Sequence, residues 1–172
     1  MVLANEGFVV RVPRRGFQIP DRSIRELIDL YPILAVLERA AGATSLPRFT
    51  ATDRSALRLT GTEVQRATEA MDAATALERN LDFHRLLASR CDNRRLIDLI
   101  ETLGREILQL EYWSFANPEH RAIATREHDD IVAAVEAGDV DRALSLIEAN
   151  RLLARDAFVR QFKSEDQTRL DR

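Results

Sequence analysis

Cysteine is almost absent from this chain of 172 residues; Cys91 stands alone. A single thiol excludes an internal disulfide and points to a reducing, cytoplasmic setting. A reactive thiol is the other reading of Cys91. An excess of one charge sign is also lacking. The 25 Lys and Arg nearly balance the 28 Asp and Glu, for a formal net of −3. No global field draws such a chain onto nucleic acid or membrane, so any DNA contact has to be local. No run approaches the roughly 20 apolar residues of a membrane span. The N-terminus lacks the charge, apolar core and cleavage site of a signal peptide. Internal repeats and low-complexity segments are missing. So are a Gly-rich phosphate loop, a nucleophile–base pair and an acidic metal cluster, which argues against an enzyme.

What is present fits one helical domain with a small appendage. Residues 1–20 differ from the rest. Gly7-Phe8-Val9-Val10-Arg11 and Phe17-Gln18-Ile19 have strand character, and Val12-Pro13-Arg14-Arg15-Gly16 reads as the turn between them. Such a hairpin is marginal alone and has to pack on something. From Pro20 onward the periodicity is helical. Asp21 or Ser23 caps a first helix carrying Ile24, Leu27, Leu30, Leu34 and Leu37. Pro32 should kink it and Gly42 should end it. Further helices are expected over 51–77 (with a break at Gly61), 78–90, 93–115, 119–137 and from Asp139 to about Lys163. The expected fold is all-α, an antiparallel bundle of about six helices. The domains are 1–20, 21–164 and a polar tail over 165–172.

Four polar residues occupy core-facing positions. Asn80, Phe83, His84 and Leu87 share one helix face. His128 falls with Ile131, Val132 and Val135, and Asn150 with Ala143 and Ile147. A buried imidazole or amide without a partner costs about 1–3 kcal/mol. A shared metal or polar ligand would satisfy all four. By spacing alone, however, four unrelated core residues bonded to nearby backbone is the simpler account. His120 reads as exposed, and Asp129 and Asp130 as solvated. Tyr112, Trp113 and Phe115 are either a pocket wall or plain core and dimer surface.

These residues carry a resemblance. Asn80-Leu-Asp-Phe-His84 is similar to the Asp/Asn-x-x-Phe-His motif of the all-helical FCD effector domain of GntR-family transcription regulators. Glu127-His128-Asp-Asp-Ile131, Ala134, Ala137-Gly138-Asp139 and Ala143 are similar to its Glu-His…Ala-Gly-Asp…Ala signature. Cys91-Asp-Asn93-Arg-Arg-Leu96 resembles the step opening the next helix, and Asp29-Leu30-Tyr31 through Glu38 the first one. Asn5–Val10 and Arg14–Phe17 look like the wing of a winged helix-turn-helix. The helices that would precede that wing, including the one that reads DNA, are not in this sequence.

The resemblance implies an effector-sensing, dimerising regulator domain. Asn80, His84, His128, Asn150, Leu34 and Tyr112 would be the effector-binding residues. Leu34 stands where the family often has an Arg that grips a carboxylate. The family's metal ligands map to Asn80, His84, His128 and Asn150. Two imidazoles and two amides imply a weak site, centred on His84 and His128, for zinc or nickel at low occupancy. Arg11, Arg14 and Arg15 would touch the DNA backbone, given a complete helix-turn-helix. The expected partners are a second copy, a small effector and, conditionally, operator DNA, with no membrane. A stand-alone ligand- or metal-binding helical protein is the alternative.

Overall fold

The computed structural model describes the backbone of residues 10–12, 16–18, 24–116 and 118–170. Strands β1 (Val10–Val12) and β2 (Gly16–Gln18) pair antiparallel, with Arg11 opposite Phe17. Arg14 and Arg15 lie outside the described residues. All other regular structure among the described residues is helical. The helices are α1 (Ile24–Ile28), α2 (Leu30–Ser45), α3 (Ala51–Glu69), α4 (Ala73–Leu87), α5 (Arg94–Glu106), α6 (Leu108–Ala116), α7 (Pro118–Ala137) and α8 (Val140–Leu170). A 3₁₀ turn over Leu46–Arg48 joins α2 to α3. No helix among the described residues is long and apolar enough to cross a membrane.

The helix starts are written in the sequence. Thr50 and Asp53 form a reciprocal capping box at α3. Asp72, Asn93 and Asp139 each accept an amide hydrogen three residues on, at 3.0, 3.1 and 3.0 Å. They thereby satisfy donors that the first turn leaves unpaired.

Several expected boundaries moved. The first helix is broken at Asp29 rather than kinked at Pro32. Proline cannot donate to the carbonyl four residues back and its ring crowds that carbonyl, here Ile28. Restarting at Leu30 places Pro32 in a first turn, where no such bond is needed. Gly42 does not end α2, and Gly61 does not break α3. Both serve close packing instead. A Cβ on Gly42 would sit 3.0 Å from Leu144 Cδ2, and one on Gly61 would meet Phe83 and Val132 at 3.6 Å. The region 51–77 is interrupted by a turn at Met71, whose φ of 59° is left-handed. The stretch 93–115 divides at Ile107. The last helix continues past Lys163 to Leu170.

Helix α2 packs along α8, α3 packs on α4 and α7, and α7 packs on α8. The main core gathers Leu57, Phe83, Ile131 and Ile147 from those elements. A second cluster joins Tyr31, Leu34, Ile107, Leu110 and Phe158. Between these two apolar regions lies the polar interior.

Candidate functional site

A fully buried ion cluster occupies the middle of the bundle. Arg151, on α8, is its hub. Its Nε and Nη2 donate to Glu38 Oε2 and Oε1 of α2, at 3.0 and 2.8 Å. Its Nη1 donates to Glu111 Oε1 of α6, at 3.1 Å. The hydroxyl of Tyr31 donates to the same Glu111 oxygen at 2.9 Å, and Asn80 Nδ2 reaches Glu111 Oε2 at 3.4 Å. His84 Nδ1 lies 3.1 Å from Glu38 Oε2. An ionised carboxylate only accepts, so the imidazole proton sits on Nδ1 and Nε2 is left outside the cluster.

The electrostatics follow from burial and proximity. Burial alone would raise the Glu38 carboxyl, but Arg151 and then His84 outweigh it and hold the group well below the carboxylate range. Burial likewise opposes the charge on Arg151, and Glu38 and Glu111 restore it, leaving its pKa raised. Burial and the adjacent Glu111 push the Tyr31 phenol well up, so it stays a donor.

One turn away the picture reverses. His128, on α7, is 1 % exposed, and neither ring nitrogen has a hydrogen-bond partner. Its ring lies against Phe83 with centroids 4.3 Å apart, and 5.8 Å from the ring of His84. Burial, then the positive fields of His84 and Arg151, depress its pKa well below the usual histidine value. It is a neutral imidazole. His84 Nε2 is also buried and unpartnered. Asn150 Nδ2 donates to Glu127 Oε2 at 2.7 Å, while Glu127 Oε1 is unpartnered. Burial pushes the Glu127 carboxyl up to about 7, against the Asn150 bond and the Arg126 charge, which lower it.

A cavity of about 460 Å³ reaches this interior between α4, the 88–93 loop and α5. Glu38, His84 and Arg151 form its buried end. Leu81, Ala88, Ile97, Ile100 and Leu108 supply apolar wall, and Arg85, Arg94 and Arg105 the rim. Each rim guanidinium has an acidic neighbour, Asp82 at 3.4 Å, Asp98 at 3.7 Å and Glu101 at 3.9 Å respectively. Cys91 also lines it, as a free thiol. The loop carrying Cys91 is held in place by its neighbours. Arg90 N donates to Ser45 Oγ at 3.0 Å, Arg90 pairs with Asp53 at 2.9 Å, and Asp92 pairs with Arg48.

Asn80, His84, His128 and Asn150 are all buried, as their spacing suggested, but they do not face one common space. Only His84 lines the cavity; Asn80, His128 and Asn150 are not among its walls. Two further expected effector residues also lie away from this cavity. Leu34 is fully buried in the apolar cluster with Tyr31 and Phe158 and does not line the cavity. Tyr112 is 50 % exposed, because Leu110, Glu111 and Phe115 take the inward face of α6. The side chains of Arg11 and Trp113 lie outside the described residues, as do Arg14 and Arg15 altogether. Phe115 is core, packed with Val64, Ala67 and Ala76.

Glu38, Glu111 and Arg151 were missed by the sequence reading. The signal was available. Glu38 follows Leu34 by four and Tyr31 by seven; Arg151 follows Ile147 by four and precedes Phe158 by seven. Glu111 follows Ile107 by four. Charged residues of both signs at core positions of three helices imply a buried ion cluster.

The residues do not make a complete centre for the divalent ion that the resemblance implies. Two orphaned imidazoles suit one, as neutral nitrogen ligands. Yet among the described residues no group of three or more His, Cys, Asp or Glu side chains is placed to hold an ion. The amide nitrogens of Asn80 and Asn150 are turned to carboxylates, and Arg151 already supplies a fixed cation.

The family profile described as FCD domain matches residues 29–150. No curated protein sequence matches the chain. Among solved structures, E. coli McbR/YncC is similar with a TM-score of 0.81 at 20 % identity, over 92 % of this chain and 80 % of that one. A GntR-family transcriptional regulator from Pseudomonas syringae pv. tomato gives 0.65 at 17 %, over 97 % and 69 %. Streptococcus agalactiae GntR gives 0.67 at 17 %, over 90 % and 77 %. At these identities the structural likeness establishes the fold alone.

Proposed function

The chain belongs to the FCD domain family, and from that premise we propose that it is the effector-sensing and dimerising part of a GntR-type transcription regulator. A small molecule enters the cavity beside α4 and α5 and reaches His84. The observation that carries this reading is a cavity of about 460 Å³ whose lining includes the buried polar side chains of Glu38, His84 and Arg151. A volume of that size suits a metabolite-sized guest. The reading makes the protein a binder rather than an enzyme.

Binding has to favour one arrangement of the dimer, since a ligand with equal affinity for both shifts nothing. Ile33 and Val36 on α2 and Leu59 on α3, 49 %, 60 % and 56 % exposed, offer apolar surface for a second copy. Operator DNA belongs to a protein with a complete helix-turn-helix, in which Arg11, Arg14 and Arg15 would meet phosphates. A divalent ion at His84 and His128, with Asn80 and Asn150 nearby, is a weak guest, because two imidazoles and two amides offer it no charged ligand.

A thermal-shift screen of small metabolites tests the reading. A true effector at about a hundredfold excess over its Kd raises Tm by about 5–10 °C. The rise should vanish in Ile97→Trp, which fills the cavity from an outer wall. Compounds that stabilise both proteins equally would place binding elsewhere and defeat the reading.

A further inference from the structure

We propose, on the effector-sensing reading above, that α5 is a lid. It closes when a guest with an apolar body fills the cavity, and Gly104 is the point of closest approach.

Helix α5 is divided cleanly into two sides. Leu96, Ile97, Leu99, Ile100 and Leu103 fall on one, and Arg94, Arg95, Asp98, Glu101 and Thr102 on the other. An apolar side of that breadth ordinarily ends in a core. Here it does not: among the described residues, α5 is the one helix without a buried residue. It packs chiefly on α2. Ile100 and Leu103 rest against the cluster of Tyr31, Leu34 and Phe158. Ile97, Ile100 and Gly104 line the cavity, as Leu81 and Ala88 do from α4 and the loop after it.

Gly104 points to the same guest. Gly42 and Gly61 are bare because side chains of other helices press on them. Gly104 also stands within a helix, where glycine weakens the structure relative to alanine. Yet a Cβ there would meet nothing within 4 Å. Its bare backbone is part of the cavity wall, so the body that can use the close approach is one inside the cavity.

The two ends of α5 are held. Arg90 is bound to Ser45 and Asp53, and Asp92 to Arg48. Ile107, at the break between α5 and α6, is fully buried. The motion left to α5 is a rocking of a 13-residue rod toward α4, with the backbone change taken up at its ends. A cavity of about 460 Å³ leaves room for the guest that drives it. Closure takes the half-exposed aliphatic side chains out of water, and that is the differential interaction by which a guest favours the closed state.

The test is hydrogen exchange read by mass spectrometry on the whole chain, with indole, cyclohexanol and 1-octanol as uncharged apolar probes. In the unliganded protein, amides over 98–106 are expected to be at least about tenfold less protected than those over 80–87. A bound probe should slow the first set at least about tenfold and leave 56–68 unchanged. Ile97→Asn should remove that slowing, whereas Leu99→Asn, which does not touch the cavity wall, should keep it. Gly104→Ala should raise the Tm of the unliganded protein by about 2–4 °C. Gly104→Leu should weaken probe binding at least about tenfold. A probe whose binding is lost in Ile97→Trp, yet which leaves exchange over 98–106 unchanged, overturns the lid and leaves the effector-sensing reading intact. Amides of α5 as protected as those of α4 without a probe, or a Tm that does not rise in Gly104→Ala, overturn it too. Protection over 98–106 that falls on dilution assigns this face to a second copy and overturns the guest. If none of the probes binds, the apolar guest is overturned, and the metabolite screen alone decides the effector-sensing reading.

Discussion

Arg151 and Asn150 are neighbours on α8, equally buried, and they belong to opposite kinds of interior. Around Arg151, each charged group has charge-assisted partners in good geometry. Around Asn150 and His128, a carboxyl oxygen and two imidazole nitrogens have none. The first region holds helices α2, α6 and α8 in register. The second carries unmet hydrogen-bonding capacity at a cost to stability. Groups left unsatisfied in a folded core are those on which a ligand can act, and His84 joins the two regions, with Nδ1 in one and Nε2 in the other.

The comparison breaks most visibly at its hub. Arg151→Met leaves two buried carboxylates without their cation and should lower stability by about 3–5 kcal/mol in urea denaturation. Replacing Arg151, Glu38 and Glu111 together by Met, Leu and Leu should recover most of that loss, because no charge is then stranded. A triple variant as unstable as the single one would mean that the cluster itself, rather than its balance, supports the fold.

His128→Leu sharpens the contrast in the other direction. No hydrogen bond is lost, and a buried polar ring becomes apolar. Stability should stay level or rise by about 1–3 kcal/mol. Few buried-residue substitutions move that way, and a loss of 2 kcal/mol or more (roughly the cost of stranding a partner) would reveal a partner that His128 satisfies.

The smallest expected effect belongs to Glu127. Its carboxyl ordinarily titrates near 4.5 and is pushed up to about 7 in the fold. Between those values the native state keeps a proton that the unfolded chain has released, so stability falls as pH rises through that window. Glu127→Gln should flatten this slope, by about 1–2 kcal/mol once its partial exposure is allowed for. The measurement is denaturation midpoint against pH for both proteins. A steeper wild-type slope of the opposite sign would contradict the assignment.

The two regions were not equally legible in the sequence. Helical periodicity and the caps at Thr50, Asp72, Asn93 and Asp139 lead to a helical bundle, because those signals are local. The burial of Asn80, His84, His128 and Asn150 follows from the same 3.6-residue spacing. The ion cluster that Asn80 and His84 join does not, since Glu38, Glu111 and Arg151 lie on three helices other than α4 and meet only through tertiary packing. The roles of Gly42 and Gly61 were hidden for a similar reason: the sequence records a missing side chain, and only the neighbouring helix shows why. Tyr112 looked like wall material because it is aromatic, but the rotation of α6 was set by Ile107, Leu110 and Phe115.

The most direct test of the contrast is an NMR titration of the histidine rings in the unliganded protein. A dry, unpartnered His128 should keep a neutral ring well below its usual pKa of 6.5 for as long as the chain stays folded. A His128 that takes up a proton near 6.5 in the folded protein would show that its nitrogens are solvated or paired, and the open half of the interior would not exist.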